Sequence, residues 1–220
     1  MTSINGGPEA TPVTMTDSDV YRQIQASDVI LAFDTSVTVR RGFLSFCEQA
    51  NRVNAKRDAF DFPGRIQLCV PAAAHTERLF DLAQEYGEAY NMDFVRSILD
   101  RYHITVPAFT ISDAEHCAEL LAQRYKTPAG WYAFKKQRCL ECVGLPPQHH
   151  SLAQGSGQKC GAPNDWLIIA QASRGNMILV MDDKGRGGEY DLIKRVARSG
   201  DVRAALDQVL GELIERNRVA

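Results

Sequence analysis

Four acidic residues, well separated along the chain, stand where an α/β protein can bring their carboxylates together. Asp34 closes the first long apolar run, and Glu77 lies in a helix-like segment just after the second one. Asp165 opens a later helix-like segment, and Asp183 ends the apolar run that follows it. If these runs are neighbouring parallel strands, their carboxyl ends share one edge of the sheet, which is where open α/β folds place their sites.

A cluster of four carboxylates at that edge predicts a site for a hard metal ion. Carboxylates that crowd together repel one another, and their pKa values rise unless a cation neutralises them. Oxygen ligands of this kind suit Mg²⁺ or Mn²⁺. Such an ion polarises phosphoryl oxygens and lowers the pKa of a bound water. The four acids therefore predict metal-dependent cleavage of phosphodiester bonds, with no obligatory side-chain base.

Strand-like and helix-like segments alternate along the chain and supply the frame for these acids. This alternation implies a parallel sheet with helices on both faces, which is the α/β class. Hydrophobic periodicity and turn residues set the expected bounds. Strands are expected at 29–34, 66–70, 104–109 and 177–183, and helices at 37–53, 72–102 with a break near Asn91, 112–125, 130–142, 164–174 and 201–216.

The composition favours one large domain without a membrane anchor. The chain has 220 residues, of which 45% are hydrophobic, so it can bury a substantial core. Residues 1–27 are poor in large apolar groups and predict a disordered arm, whereas 28–220 form one domain with an inserted loop at 143–162 and a C-terminal helix. The chain has no apolar run of membrane length and no secretory start, and its cysteines are scattered, which predicts a cytoplasmic protein.

Four short motifs, taken in order, resemble those of the PIN-domain family of metal-dependent ribonucleases, which includes the VapC-type toxins. Each motif contains or adjoins one of the four acids, and together they span about residues 29–190. Each is weak alone, but their order and spacing are fairly specific. The motifs are Phe33-Asp-Thr-Ser36, the segment 71–77, the segment 164–172 and the segment 178–184.

The resemblance implies a PIN-like three-layer α/β/α sandwich with a central parallel sheet, and an endoribonuclease that hydrolyses RNA. It further implies a toxin or defence effector, an antitoxin or other regulatory protein as partner, and a homodimer. The acids would be both catalytic residues and ligands of Mg²⁺ or Mn²⁺, with neighbouring polar groups that hydrogen-bond to them. The implied ligands are Asp34, Glu77, Asp165 and Asp183, and the implied supporting groups are Thr35 or Ser36, Asn164 and Asp182.

One position departs from the family pattern. The family usually has Thr or Ser two residues before the last acid, and this chain has Met181. Either Asp182 supplies the missing polar contact, or Asp182 and Asp183 share the work. The departure also leaves a second function open, a catalytically silent PIN-like module that binds RNA or a protein. Taken singly, acids such as Asp165 are also common at helix starts for structural reasons.

A second group of side chains matches the ligand set of a structural zinc ion. Two cysteines two residues apart, followed by imidazoles and a third thiolate, suit tetrahedral Zn²⁺. The alternative is a reduced cysteine pair with two loop histidines. The residues are Cys139, Cys142, His149, His150 and Cys160.

Any attraction for a nucleic acid must come from local groups of basic residues, because the net charge of the chain is slightly negative. Lys plus Arg is 25 and Asp plus Glu is 27, so the net charge is −2. Lys184 and Arg186 directly follow the last acid and are the favoured contacts for RNA phosphates. Most other basic side chains, Arg40 and Arg41 among them, are expected to be part of the solvated surface.

Overall fold

The computed structural model of the protein describes residues 14–130, 132–133, 162–182 and 189–219. The predicted zinc cluster at 139–160, the fourth acid Asp183, and the basic pair Lys184 and Arg186 lie outside these residues. No helix within the described ranges is both long enough and apolar enough to cross a membrane.

The elements alternate between strand and helix over most of the chain. Short 3₁₀ turns at Gly87–Ala89 and Glu189–Leu192 lie between them. The strands are β1 (Val29–Phe33), β2 (Ile66–Cys69), β3 (Ile104–Thr105), β4 (Ile178–Met181) and β5 (Val196–Arg198). The helices are α1 (Asp17–Ala26), α2 (Thr35–Thr38), α3 (Phe43–Ala59), α4 (Ala72–Tyr86), α5 (Met92–Arg101), α6 (Ile111–Arg124), α7 (Ala162–Arg174) and α8 (Ser199–Val219).

The strands form one central sheet of five parallel strands in the order β3-β2-β1-β4-β5. The middle strand, β1, pairs with β2 through Val29 and Ile66, and with β4 through Leu31 and Ile178. Helices flank this sheet. The α/β class with a central parallel sheet, predicted from the alternation of segments, is therefore confirmed.

Burial on both faces explains why the central strands have continuous apolar sequences. All four residues of β4 are buried, and four of the five in β1 are buried. A strand covered by helices on both sides has no solvent face that would need polar residues. Phe33 ends β1 inside the core, where its ring meets that of Phe46 edge-on at a centroid distance of 5.1 Å. This packing fixes the end of β1, and with it the position of the next residue, Asp34.

The segment before β1 differs from its prediction as a disordered arm. Residues 17–26 form α1, which begins with a capping box between Thr16 and Asp19. Val20 and Ile24, four residues apart, are completely buried, and α1 packs along α8. The sequence did not predict α1, because two large apolar side chains give only a weak helical periodicity in so polar a segment. The helix that buries them, α8, lies at the other end of the chain. Residues 1–13 of the predicted arm lie outside the described part.

Further differences concern short elements and helix boundaries. The strand β5 (Val196–Arg198) was not predicted, because three residues are too few to show an alternation of apolar and polar side chains. The expected helix at 37–53 is two helices, α2 and α3. The helix expected from residue 112 begins at Ile111, after a capping box between Thr110 and Asp113.

The packing of α1 gives a direct test. Replacing Ile24 by Ala should lower the free energy of unfolding by about 2–5 kcal/mol, because it removes buried methyl and methylene groups and leaves a cavity. Arg22→Ala is the matched control on the same helix, since that side chain is 74% exposed, and should change stability by less than about 0.5 kcal/mol. Urea denaturation measures both. Equal stability of the two variants would mean that α1 is not docked.

Candidate functional site

Asp34 lies at the carboxyl edge of the sheet, at the end of the central strand. Its N–H donates to the carbonyl oxygen of Val180 at 3.0 Å, so the position is fixed between β1 and β4. Its carboxylate caps α2, with Oδ2 accepting from the Ser36 N–H at 3.0 Å and from the Ser36 hydroxyl at 2.5 Å. Asp34 is only 5% exposed. The structure thus keeps a carboxylate almost fully buried where parallel α/β sheets commonly have sites.

Glu77 joins three segments that are far apart in sequence. It lies on α4, which begins shortly after β2 ends. One carboxylate oxygen accepts a short hydrogen bond from the Thr35 hydroxyl, next to Asp34, and the other accepts from the Asn164 side-chain amide at 2.7 Å. The predicted convergence of the first three acidic segments therefore rests, at Glu77, on direct contacts between Thr35, Glu77 and Asn164.

Asp165 follows Asn164 in the first turn of α7 and is half-buried. An acid there also interacts favourably with the positive end of the helix dipole. Further along α7, Gln171 is only 3% exposed and fixes the helix against the start of α4 and the segment before α6. Its side-chain oxygen accepts from the Ala72 N–H at 2.9 Å, and its amide donates to the carbonyl oxygens of residues 107 and 108. Sequence reasoning missed Gln171, because nothing in the pattern distinguishes it from a surface glutamine.

Asp182 has contacts that suit a structural role. Its carboxylate accepts from the N–H and hydroxyl of Ser199, at 3.1 and 2.8 Å, and so satisfies the first turn of α8. Arg40 forms an ion pair with the same carboxylate at 2.9 Å. The Asp182 N–H donates to the Ser36 hydroxyl at 3.1 Å. The side chain of Asp182 therefore faces α8 and Arg40, while its backbone supports the residue that holds Asp34.

The unusual residue at position 181 is explained by the core. Met181 is the last residue of β4 and is completely buried, so that a polar side chain there would need a partner. The backbone N–H of Asp182 and the hydroxyl of Ser36 make the polar contact at this edge instead. The backbone N–H of Asp182 thus supplies a polar contact at this edge, while Asp183, which belongs to the second alternative, lies outside the described residues.

The donor set fits a magnesium-type ion without forming a full cage. Among the residues described, no group of three or more His, Cys, Asp or Glu side chains is placed to hold one ion. Mg²⁺, however, is usually held by one or two carboxylates together with water and substrate phosphates. Asp34 and Glu77 provide oxygen donors only, and Thr35 links their segments. Their chemistry therefore matches a hard cation that also contacts substrate.

Two other titratable side chains lie near this edge, the imidazole of His75 and the thiol of Cys69. Burial lowers the pKa of His75, two residues before Glu77, below its ordinary value of 6.5, so this imidazole is mainly neutral at pH 7. Burial raises the pKa of the Cys69 thiol, at the end of β2, to about 12. A thiol that stays protonated is a poor nucleophile and a poor metal ligand. The carboxylates are thus the reactive groups that stand out at this edge.

A row of Ser173, His116 and Glu119 between α6 and α7 has the order of a hydrolase triad. The His116 ring nitrogens lie 3.2 Å from the Ser173 hydroxyl and 3.3 Å from Glu119. Ser173 is, however, in the last turn of α7, where carbonyl groups and the negative end of the helix dipole face an incoming substrate. An oxyanion intermediate needs donors at this point. The row is therefore a helix-to-helix contact.

Comparison with known proteins identifies no family for this chain. No protein-family model matches this chain, and no curated protein matches it. Membership of the PIN-domain family stays a prediction from the four motifs. The α/β architecture with a five-stranded parallel sheet is what the structure establishes.

The role assigned to Asp182 can be tested by a double-mutant cycle. Asp182→Ala should destabilise the protein by about 1–3 kcal/mol, because it leaves the start of α8 without its acceptor and removes the ion pair with Arg40. Ser199→Ala should be coupled to it by about 0.5–1 kcal/mol, measured by urea denaturation. Asp201→Ala, also in the first turn of α8, is the control and should show no coupling. A gain in stability on removing Asp182 would point to a repulsive acid cluster instead.

Proposed function

We propose that this protein is a Mg²⁺- or Mn²⁺-dependent endoribonuclease that hydrolyses phosphodiester bonds at the carboxyl edge of its sheet. The observation that carries the proposal is the set of hydrogen bonds from Thr35 and Asn164 to Glu77. These bonds bring the segment of Asp34, the segment of Glu77 and the segment of Asp165 to one place. RNA as the substrate follows from the resemblance to the PIN-domain ribonucleases.

The chain's own residues would act by holding and orienting. Asp34 and Glu77 would hold the cation, with Asp165 and Asp183 as the further acids that the motifs suggest. When bound, the cation polarises phosphoryl oxygens and lowers the pKa of a water molecule. Ser36 keeps the Asp34 carboxylate from rotating, and Thr35 and Asn164 do the same for Glu77. Fixed carboxylates reduce the reorganisation needed in the transition state.

The reaction is a hydrolysis and needs no other co-reactant. A bond forms between a water oxygen and phosphorus, and the bond from phosphorus to the leaving ribose oxygen breaks. The water loses one proton, and the leaving oxygen takes up one from solvent. A cation held by these acids would favour this proton loss, because it stabilises the hydroxide that forms.

A defence or toxin role is supported by the motif resemblance alone. A partner that restrains the activity would belong to that role, and the proposal does not depend on it. Likewise, a silent RNA-binding module remains the competing function because of Met181. The assay below separates the two, since the module would bind RNA without metal-dependent cleavage.

The proposal predicts strict dependence on two acids. With a labelled single-stranded RNA and Mg²⁺, the native chain should cleave, and Asp34→Asn and Glu77→Gln should each lose about 10²-fold or more in rate, as is typical when an oriented group at a site is removed. Asp81→Asn, an exposed acid on the same helix as Glu77, is the matched control and should retain activity.

Metal removal provides the second half of this test. A chelator should abolish cleavage, and added Mg²⁺ or Mn²⁺ should restore it. Cleavage that survives in the chelator, or equal rates for the native chain and Asp34→Asn, would contradict the proposal. RNA binding without any metal-dependent cleavage would favour the binding module.

A further inference from the structure

We propose that a groove beside the acids binds an unpaired nucleotide of the RNA substrate, with its base between aromatic side chains and its phosphate at two arginines. This inference rests on the proposed function for its choice of substrate. Among the residues that line the site, only His75 belongs to one of the four motifs. We call it the α2–α5 groove, since α2 and the start of α3 form one wall and α4 and α5 form the other.

The groove has the size and position of a subsite. Its volume is about 940 Å³, near the upper end of the usual range for ligand pockets. Thr38 and His75 line it, and they lie three and two residues from Thr35 and Glu77, whose side chains touch each other. A strand of RNA that places a phosphate at the acids can therefore place the adjacent nucleotide in the groove.

Aromatic side chains along the far wall remain exposed without packing into the core. Phe94 on α5 is 65% exposed, and Tyr86 at the end of α4 is 54% exposed. The whole of α5 has no buried residue, although its apolar side chains share one face. Aromatic rings that line an open groove are typical platforms for stacking bases of single-stranded nucleic acid. Their exposure has a reason if a base covers them.

Two guanidinium groups that line the groove favour an anionic occupant, although Glu85 also lines it. Arg41 and Arg78 line the groove and form no ion pair with any residue in the described part, whereas Arg40 beside them is paired with Asp182. A site made of acids alone would repel a phosphate, and neighbouring cations offset this repulsion. An apolar helix in the groove would bury these two positive charges without offering them an anion. A nucleotide satisfies both the rings and the charges.

Binding can be measured separately from cleavage. The full chain is titrated into a fluorescently labelled single-stranded RNA in chelator, and the Kd is followed by anisotropy. Phe94→Ala and Tyr86→Ala should each weaken binding about tenfold, as expected for one lost stacking contact. Phe80→Ala is the matched control, because Phe80 is 50% exposed on α4 but does not line the groove. Phe94→Leu keeps an apolar side chain at this position and should still lose most of the affinity.

The arginines have their own readout. Arg41→Gln and Arg78→Gln should each weaken binding and reduce the slope of log Kd against log salt by about one. Arg96→Gln, an exposed arginine on α5 outside the groove, is the control and should leave the slope unchanged. A duplex of the same sequence should bind more weakly than the single strand, because its bases are not available for stacking.

The outcomes separate this inference from the proposed function. Weaker binding in the groove variants with no metal-dependent cleavage by the native chain would support the groove and overturn the nuclease. Metal-dependent cleavage with native affinity and native KM in the groove variants would overturn the groove and leave the nuclease. Absence of RNA binding would overturn the groove, as would a dimer in sedimentation that Phe94→Ala dissociates, since the face would then be an interface between copies.

Discussion

The burial of one carboxylate at the end of the central strand constrains the rest of the site. Asp34 is 5% exposed, and an ionised group so far from water costs several kcal/mol unless hydrogen bonds or opposite charge compensate it. The N–H and hydroxyl of Ser36 both donate to it. Their positions depend on the short helix α2, which must begin at once after β1. An insertion or deletion between β1 and α2 would therefore expose the Asp34 carboxylate to solvent or remove its hydrogen-bond donors.

The hydrogen bonds around Asp34 continue toward both neighbours of β1 in the sheet. On one side, the Ser36 hydroxyl accepts from the Asp182 N–H, and the Asp182 carboxylate holds the start of α8 at Ser199. On the other side, Thr35 and Asn164 hold Glu77. Each of these polar groups has a partner, so the arrangement is rigid rather than merely crowded. A rigid set of oxygens is what a hard cation and an oriented phosphate both require.

The sequence predicted the parts of the fold that repeat a physical pattern over many residues. The strands β1, β2 and β4 are continuous apolar runs because helices cover both faces, and the acids at their ends follow from parallel pairing. The docked helix α1 and the strand β5 could not be predicted, because two buried side chains or three residues carry too little periodicity and their partners are distant in sequence. Within the site, Asp34, Thr35, Glu77 and Asn164 were named in advance. The roles of Gln171 and Arg40 were not, because their partners are fixed only by the folded backbone.

The central claim is that Asp34 and Glu77 hold one divalent cation. A crystal of the full chain soaked in Mn²⁺, measured at the manganese absorption edge, tests it most directly. One strong anomalous peak is expected about 2.0–2.3 Å from oxygens of both carboxylates, the distance range of hard divalent ions. The peak should be lost in Asp34→Asn crystals. A peak elsewhere, or no peak at this edge at saturating Mn²⁺, would show that these two carboxylates do not hold the ion together.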